Sequence, residues 1–286
     1  MNGRIILILI VVFNLLARFW KIGEIPQLLD DRYLSPRIIS ACLGVLTPLI
    51  LYFFIKNTSG KIKFALLSSL IFSLMPQSII ESRIASSIAQ MEFLFLLILL
   101  FTSAFKNKFL SVILISIFPF YLFLSVPYFS FFRQTPLLLT KIIPNLFTLF
   151  SFEMLFFRNI TFYWGGIREF GFMYLTFLPL FLIGLISFPY SLFKNFLFLS
   201  LVFAILAIFS AQFPESRFLY LVSPILSVIV ARGILVFWQY KKILNKAVIY
   251  FLILFLIYEL GQFFHYYYIH YPKDISSNTD KLPVPF

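Results

Sequence analysis

Asp30 and Asp31 stand side by side in the stretch Lys21-Ile22-Gly23-Glu24-Ile25-Pro26-Gln27-Leu28-Leu29-Asp30-Asp31-Arg32-Tyr33. Two adjacent carboxylates repel each other, which raises the proton affinity of one and suits it to act as a general base. The same pair could instead hold a cation, pair with Arg32 and Arg37, or belong to an ordinary polar loop. Two arginines offer complementary charge. Arg83 closes Pro76-Gln77-Ser78-Ile79-Ile80-Glu81-Ser82-Arg83, and Arg83, Ser87 and Gln90 fall at i, i+4 and i+7, one polar stripe on a helix with Glu92 on the opposite face. A guanidinium there either snorkels to a membrane interface or faces a cavity where its planar fork can hold a phosphate. Arg217 closes Gln212-Phe213-Pro214-Glu215-Ser216-Arg217 at the start of an apolar run. An arginine beside a helix N-terminus is a sound anion site; a surface Glu215–Arg217 pair is the plain alternative.

The remaining polar features are weaker. Glu259 falls within an apolar run, where a carboxylate is costly and expected to face the bundle interior. His265-Tyr266-Tyr267-Tyr268-Ile269-His270-Tyr271 reads as an aromatic belt, and two histidines with no carboxylate or cysteine set nearby do not make a metal site. Cys42 is the only cysteine, which excludes an internal disulfide; it reads as packing. No phosphate-binding Walker loop, dinucleotide fingerprint, His-Glu-x-x-His or Gly-x-Ser-x-Gly occurs, so ATP-driven and zinc-protease chemistry lose their usual support and no cofactor is implied.

The elements that must position these residues are set by composition. Hydrophobic residues make up 61% of the 286 and charged residues 12%, far from the balance a water-soluble domain needs to cover its surface. The apolar runs are continuous rather than alternating, so the spans are helices and not barrel strands. The pattern predicts an all-α, polytopic transmembrane bundle of about nine spans, near 4–20, 38–56, 64–80, 84–105, 109–128, 171–190, 196–212, 217–238 and 247–265. Pro76 closes the apolar part of the third span early. The first span has a basic start but no cleavage site and is read as a retained helix. The net charge of +12 does not point to nucleic acid, because no polar basic face exists to carry it. Phe, with 41 copies, reads as lipid-facing filler.

Loop charge orients the chain. With the N-terminus cytoplasmic, the inner ends carry Arg4, Lys56, Lys61, Lys63, Lys106, Lys108, Lys194, Arg232, Lys241, Lys242 and Lys246 without an acidic residue among them, and the C-terminus is external. The transmembrane unit covers 1–271, with outer loops at 21–37 and 129–170, and a short external tail covers 272–286. The 129–170 loop mixes apolar stretches with prolines and charges, as helices lying at an interface do. No internal repeat supports an inverted-repeat transporter.

Several outer-side pieces, taken in order, resemble the polytopic GT-C type glycosyltransferases of the protein mannosyltransferase and aminoarabinose transferase kind. They are Arg18-Phe19-Trp20-Lys21-Ile22-Gly23-Glu24-Ile25-Pro26, the acidic pair Asp30-Asp31, Arg37 through Val45, Pro76 through Ala85, Arg217 through Pro224, and Tyr267 through Pro272. The resemblance implies a multi-pass protein of the cell membrane, in bacteria the plasma membrane. It implies a sugar donor carried on a polyprenyl phosphate and a lipid, glycan or protein acceptor on the non-cytoplasmic face. Asp30 or Asp31 would then be the catalytic base, and Arg83 and Arg217 would hold the donor phosphate. Departures accompany it. Only six residues separate Asp31 from Ile38, where the family has a much longer loop, and Ser87 stands where related sequences often carry an acid. The chain is also short, so it reads as a compact or degenerate member, and the alternative is a non-catalytic relative that binds a lipid-linked sugar or scaffolds another membrane protein.

Overall fold

A computed structural model describes residues 3–24, 34–84, 87–104, 147–148, 151–158, 170–190, 193–194, 196–198, 200–201, 221–239 and 243–272. Among them are eight α-helices and no strand. They are α1 (Gly3–Phe19), α2 (Leu34–Ser59), α3 (Ile62–Leu74), α4 (Pro76–Arg83), α5 (Ser87–Ala104), α6 (Phe177–Ile186), α7 (Ser223–Gln239) and α8 (Ile243–His265). The expected span 109–128 lies outside the described residues, as do Asp30, Asp31, Arg217 and the tail beyond Pro272.

α1 shows why the chain is a membrane protein. Its outward face carries Ile5, Ile8, Leu9, Val12, Leu15 and Leu16, while Asn14 and Arg18 are fully buried. Apolar outside and polar inside reverses the soluble pattern and fits a helix solvated by lipid. Two helical stretches, Arg37–Ser59 and Ala247–His270, are long and apolar enough to cross a membrane. α3 and α4 together make a third candidate, bent by 63° at their junction.

That bend changes two expectations. Met75 is extended (φ −60°, ψ 129°) because a residue before proline is pushed out of the helical region, and Pro76 then opens α4 at its first turn. Ile84 is extended as well (φ −96°, ψ 147°). Arg83 therefore ends one helix and Ser87 begins the next, so Arg83, Ser87 and Gln90 do not share a continuous helical stripe. The expected span at 171–190 is shorter too. α6 holds ten residues, about 15 Å of helix, and Pro189 follows soon after its end.

The core runs between α2, α3, α5 and α7. Phe54 packs edge-on against Phe196 at 5.3 Å, Phe64 against Phe193 at 6.1 Å, and Phe95 lies 5.8 Å from Phe196. Phe72, Phe95, Phe193 and Phe196 are buried, whereas Phe53, Phe101 and Phe251 face outward. Phenylalanine is thus interior packing as well as lipid-facing surface. Cys42, expected as packing, is exposed on α2. α6 and α7 cross in near-backbone contact. A Cβ on Gly184 would lie 1.9 Å from the Ile229 oxygen, and one on Gly233 would lie 1.8 Å from the Leu180 oxygen. Small residues permit such close approach between apolar helices, where packing rather than water drives association.

Candidate functional site

α4 positions the site. All eight of its residues, Pro76 to Arg83, are buried, although Gln77, Ser78, Glu81, Ser82 and Arg83 are polar. Buried polar groups need partners, and these find them on α1 and beyond α8. Arg18 donates to Asn14 Oδ1 and, through Nη2, to Ser78 Oγ at 2.9 Å. Asn14 Nδ2 donates to the Ile10 carbonyl at 2.7 Å and to Ser73 Oγ at 2.8 Å. Gln77 Nε2 donates to Glu81 Oε1 at 2.8 Å. α2 comes close enough to complete the cluster because Gly44 has no side chain. A Cβ there would meet Ser82 Cβ at 2.4 Å and Arg18 Nε at 2.8 Å.

Arg83 is fully buried. Its Nη1 donates to the carbonyls of Ala17 and Arg18, each at 3.0 Å, and to Tyr268 Oη at 3.3 Å, while Nε donates to Tyr267 Oη at 3.1 Å. The guanidinium carbon lies 5.4 Å and 5.3 Å from the two ring centres. Carbonyls in the last turn of a helix have no intrahelical donor, and a cation there also meets the negative end of the helix dipole. Arg83 therefore caps α1 and ties it to the C-terminal helix. Tyr268 reinforces the tie by donating to the Ala17 carbonyl at 3.0 Å.

Two tyrosines of the expected aromatic belt consequently lie inside the protein: Tyr267 and Tyr271 are buried, in and just beyond a π-helical turn, Tyr266–His270, that continues α8. His265 and His270 stay exposed with their Nε2 atoms 3.2 Å apart. No group of three or more potential metal ligands occurs among the described residues.

The described residues on either side of segment 25–33 are rooted on this cluster. Past α1, Lys21 adopts a left-handed conformation (φ 53°) and turns the chain, with an exposed Lys21–Glu24 ion pair at 3.7 Å. Arg37, in the first turns of α2 and 5% exposed, donates from Nη1 to the Ile22 carbonyl at 3.1 Å. This bond pins the outgoing and returning ends of the loop together. Arg37 and Glu81 also lie within electrostatic reach of Tyr267 and Tyr271. Three arginines, one glutamate and three tyrosines thus meet beside the two described ends, Glu24 and Leu34, of the segment in which Asp30 and Asp31 fall.

Of the four expected site residues, Arg83 is the one among the described residues, and it faces carbonyls and phenols rather than an open cavity. Asn14 and Arg18 were missed as site residues, although their i, i+4 spacing within an apolar helix was a readable signal. Two other carboxylates, the half-buried Glu259 and the buried Glu92, are structural. Glu259 accepts from the Leu175 and Thr176 amides at 2.9 and 3.0 Å and from the Thr176 hydroxyl, capping the N-terminus of α6. Glu92 accepts from Ser223 Oγ at 2.9 Å at the N-terminus of α7, where the helix dipole favours an anion.

Among the described residues, apolar helices that turn Arg18, Arg37 and Arg83 inward define a helical membrane protein with two or three candidate spans. Residues 18–117 match the family described as dolichyl-phosphate-mannose-protein mannosyltransferase. Over that stretch, about a third of its length, the chain is similar to that family, and the stretch contains Arg18, both aspartates, Arg37, Glu81 and Arg83. No curated protein and no solved structure matches the chain.

Proposed function

We propose that this protein transfers a sugar from a polyprenyl-phosphate donor to an acceptor hydroxyl on the non-cytoplasmic face. The observation that carries this reading is the Arg18–Arg37–Glu81–Arg83 cluster, set at the root of the acidic loop and inside the family-matched stretch. Chain connectivity supports it. Asp31 is three residues from Leu34, so its Cα stays within about 11 Å of the start of α2. In the reaction the acceptor oxygen bonds to the anomeric carbon and its proton passes to Asp30 or Asp31. The bond from that carbon to the phosphate oxygen breaks, and the leaving lipid phosphate keeps the electron pair. Fixed cations near that oxygen lower the barrier because they need no reorganisation as charge develops. In this reading Arg217 contacts the donor phosphate, while Arg83 braces the loop root and supplies positive potential from beneath.

The test is transfer of labelled sugar from a polyprenyl-phosphate donor by purified protein in lipid. Asp30→Asn or Asp31→Asn should lower the rate about 100-fold or more in one of the two. Wild-type rates in both single variants and in the double variant would refute the base assignment. The second reading, a non-catalytic relative that binds a lipid-linked sugar, is favoured by the structural engagement of Arg83. It becomes the better one if the wild type binds donor but transfers to no acceptor.

A further inference from the structure

At the other end of α2 the chain turns sharply. Gly60 takes a left-handed conformation (φ +69°), its amide donates to the Lys56 carbonyl at 2.9 Å, and α3 starts two residues later. This turn sets Lys61 and Lys63 against α7, where a pocket of about 440 Å³ opens. Its cations are Lys61, Lys63 and Arg232; Ile62, Phe64 and Leu235 give it an apolar wall, and Gln239 stands at its edge. None of the lining residues is acidic. Arg232 is held in place through Nε, which donates to the Ser187 carbonyl at 3.0 Å. Lys61 and Lys63 are exposed, and Phe64 is buried.

We propose that this pocket binds the headgroup of an anionic phospholipid. Three cations converging without a carboxylate set a positive potential that a phosphodiester neutralises, and the apolar wall accommodates the glycerol and first acyl carbons beside it. The location agrees, because the pocket lies at the end of α2, a helix long and apolar enough to cross a membrane, and the end of such a span is where lipid headgroups are met. Basic pockets between membrane helices commonly recruit such headgroups. The site is separate from the arginine cluster. Arg37 and Ser59 bound a 23-residue stretch, about 33 Å of helix, so the two sites lie at opposite ends of α2. The proposal is independent of sugar transfer. An ordinary phospholipid, with no glycosyl donor present, is the occupant.

The test uses the full chain in detergent micelles, titrated with phosphatidylglycerol or phosphatidylcholine and read by native mass spectrometry. Phosphatidylglycerol should be retained at least about tenfold more strongly than phosphatidylcholine, and Lys61→Gln/Lys63→Gln/Arg232→Gln should remove that preference. Lys61→Arg/Lys63→Arg should keep it, which separates charge from folding. In the wild type, 0.5 M salt should weaken the preference as an exposed ionic contact requires, about an ionic strength where screening acts within a few ångströms. Equal retention of the two lipids, or a preference that survives the triple substitution, overturns the proposal. Inorganic phosphate or glycerol phosphate that displaces the lipid at equal concentration overturns the lipid as occupant and assigns the pocket to a free phosphate compound.

Discussion

Replacing Arg83 by methionine separates a structural brace from a ligand for the donor. The substitution keeps an unbranched apolar stem but removes donors to the Ala17 and Arg18 carbonyls and to Tyr267 and Tyr268. Side-chain hydrogen bonds inside membrane proteins average about 0.6 kcal/mol and reach about 1.7 kcal/mol, so four such contacts suggest a loss of about 2–4 kcal/mol. The Ala17 carbonyl keeps its Tyr268 partner, while the Arg18 carbonyl loses the donor at 3.0 Å. That asymmetry places Tyr268→Phe lower, at about 1 kcal/mol, and the two changes should not add, because either single already loses the Arg83–Tyr268 bond while only the double leaves the Ala17 carbonyl without both side-chain donors. The assay is reversible unfolding of the purified protein in mixed micelles, with no sugar donor added. A residue whose purpose is to bind donor phosphate would leave stability without donor unchanged or raised when its buried charge is removed. An Arg83→Met variant within about 0.5 kcal/mol of wild type would refute the brace. Arg83→Lys should fall between the two, since an ammonium keeps the charge but lacks the planar fork that reaches two carbonyls and two phenols together.

Two further predictions address packing and topology. Gly184→Ala or Gly233→Ala should each destabilise the protein by about 1–3 kcal/mol in the same assay, because a methyl would overlap the facing backbone; a neutral effect would mean that α6 and α7 do not cross at these glycines. In a Cys42→Ser background, a cysteine at Ser276 should react with an impermeant thiol reagent in intact cells, as the loop charges require; labelling only after lysis would reverse the position of the C-terminus.

How much could be read beforehand depended on the range of the interaction. The break at Pro76 was visible because proline acts on its own neighbour, whereas the inward Asn14–Arg18 pair was missed although its four-residue spacing in an apolar helix is a local signal. The inward role of Glu259 followed from the cost of a carboxylate in lipid, but that it caps α6 did not, since its partners at Leu175 and Thr176 lie over eighty residues away. The stripe joining Arg83, Ser87 and Gln90 failed because helical spacing assumes an uninterrupted helix, and Ile84 is extended.

The sequence by itself determined the solvent, the helical class and the family-matched stretch, because these follow from composition and from the local order of motifs. Burial of whole side chains in lipid depends on the apolar content of each run, and a run carries that information within itself. Tertiary structure alone decided that Arg83 would be spent between the end of α1 and two tyrosines 184 and 185 residues away. It also decided that Lys61 and Arg232 would share one pocket. Both outcomes require two distant helices to dock at one crossing, and no local spacing in the chain encodes which helices meet.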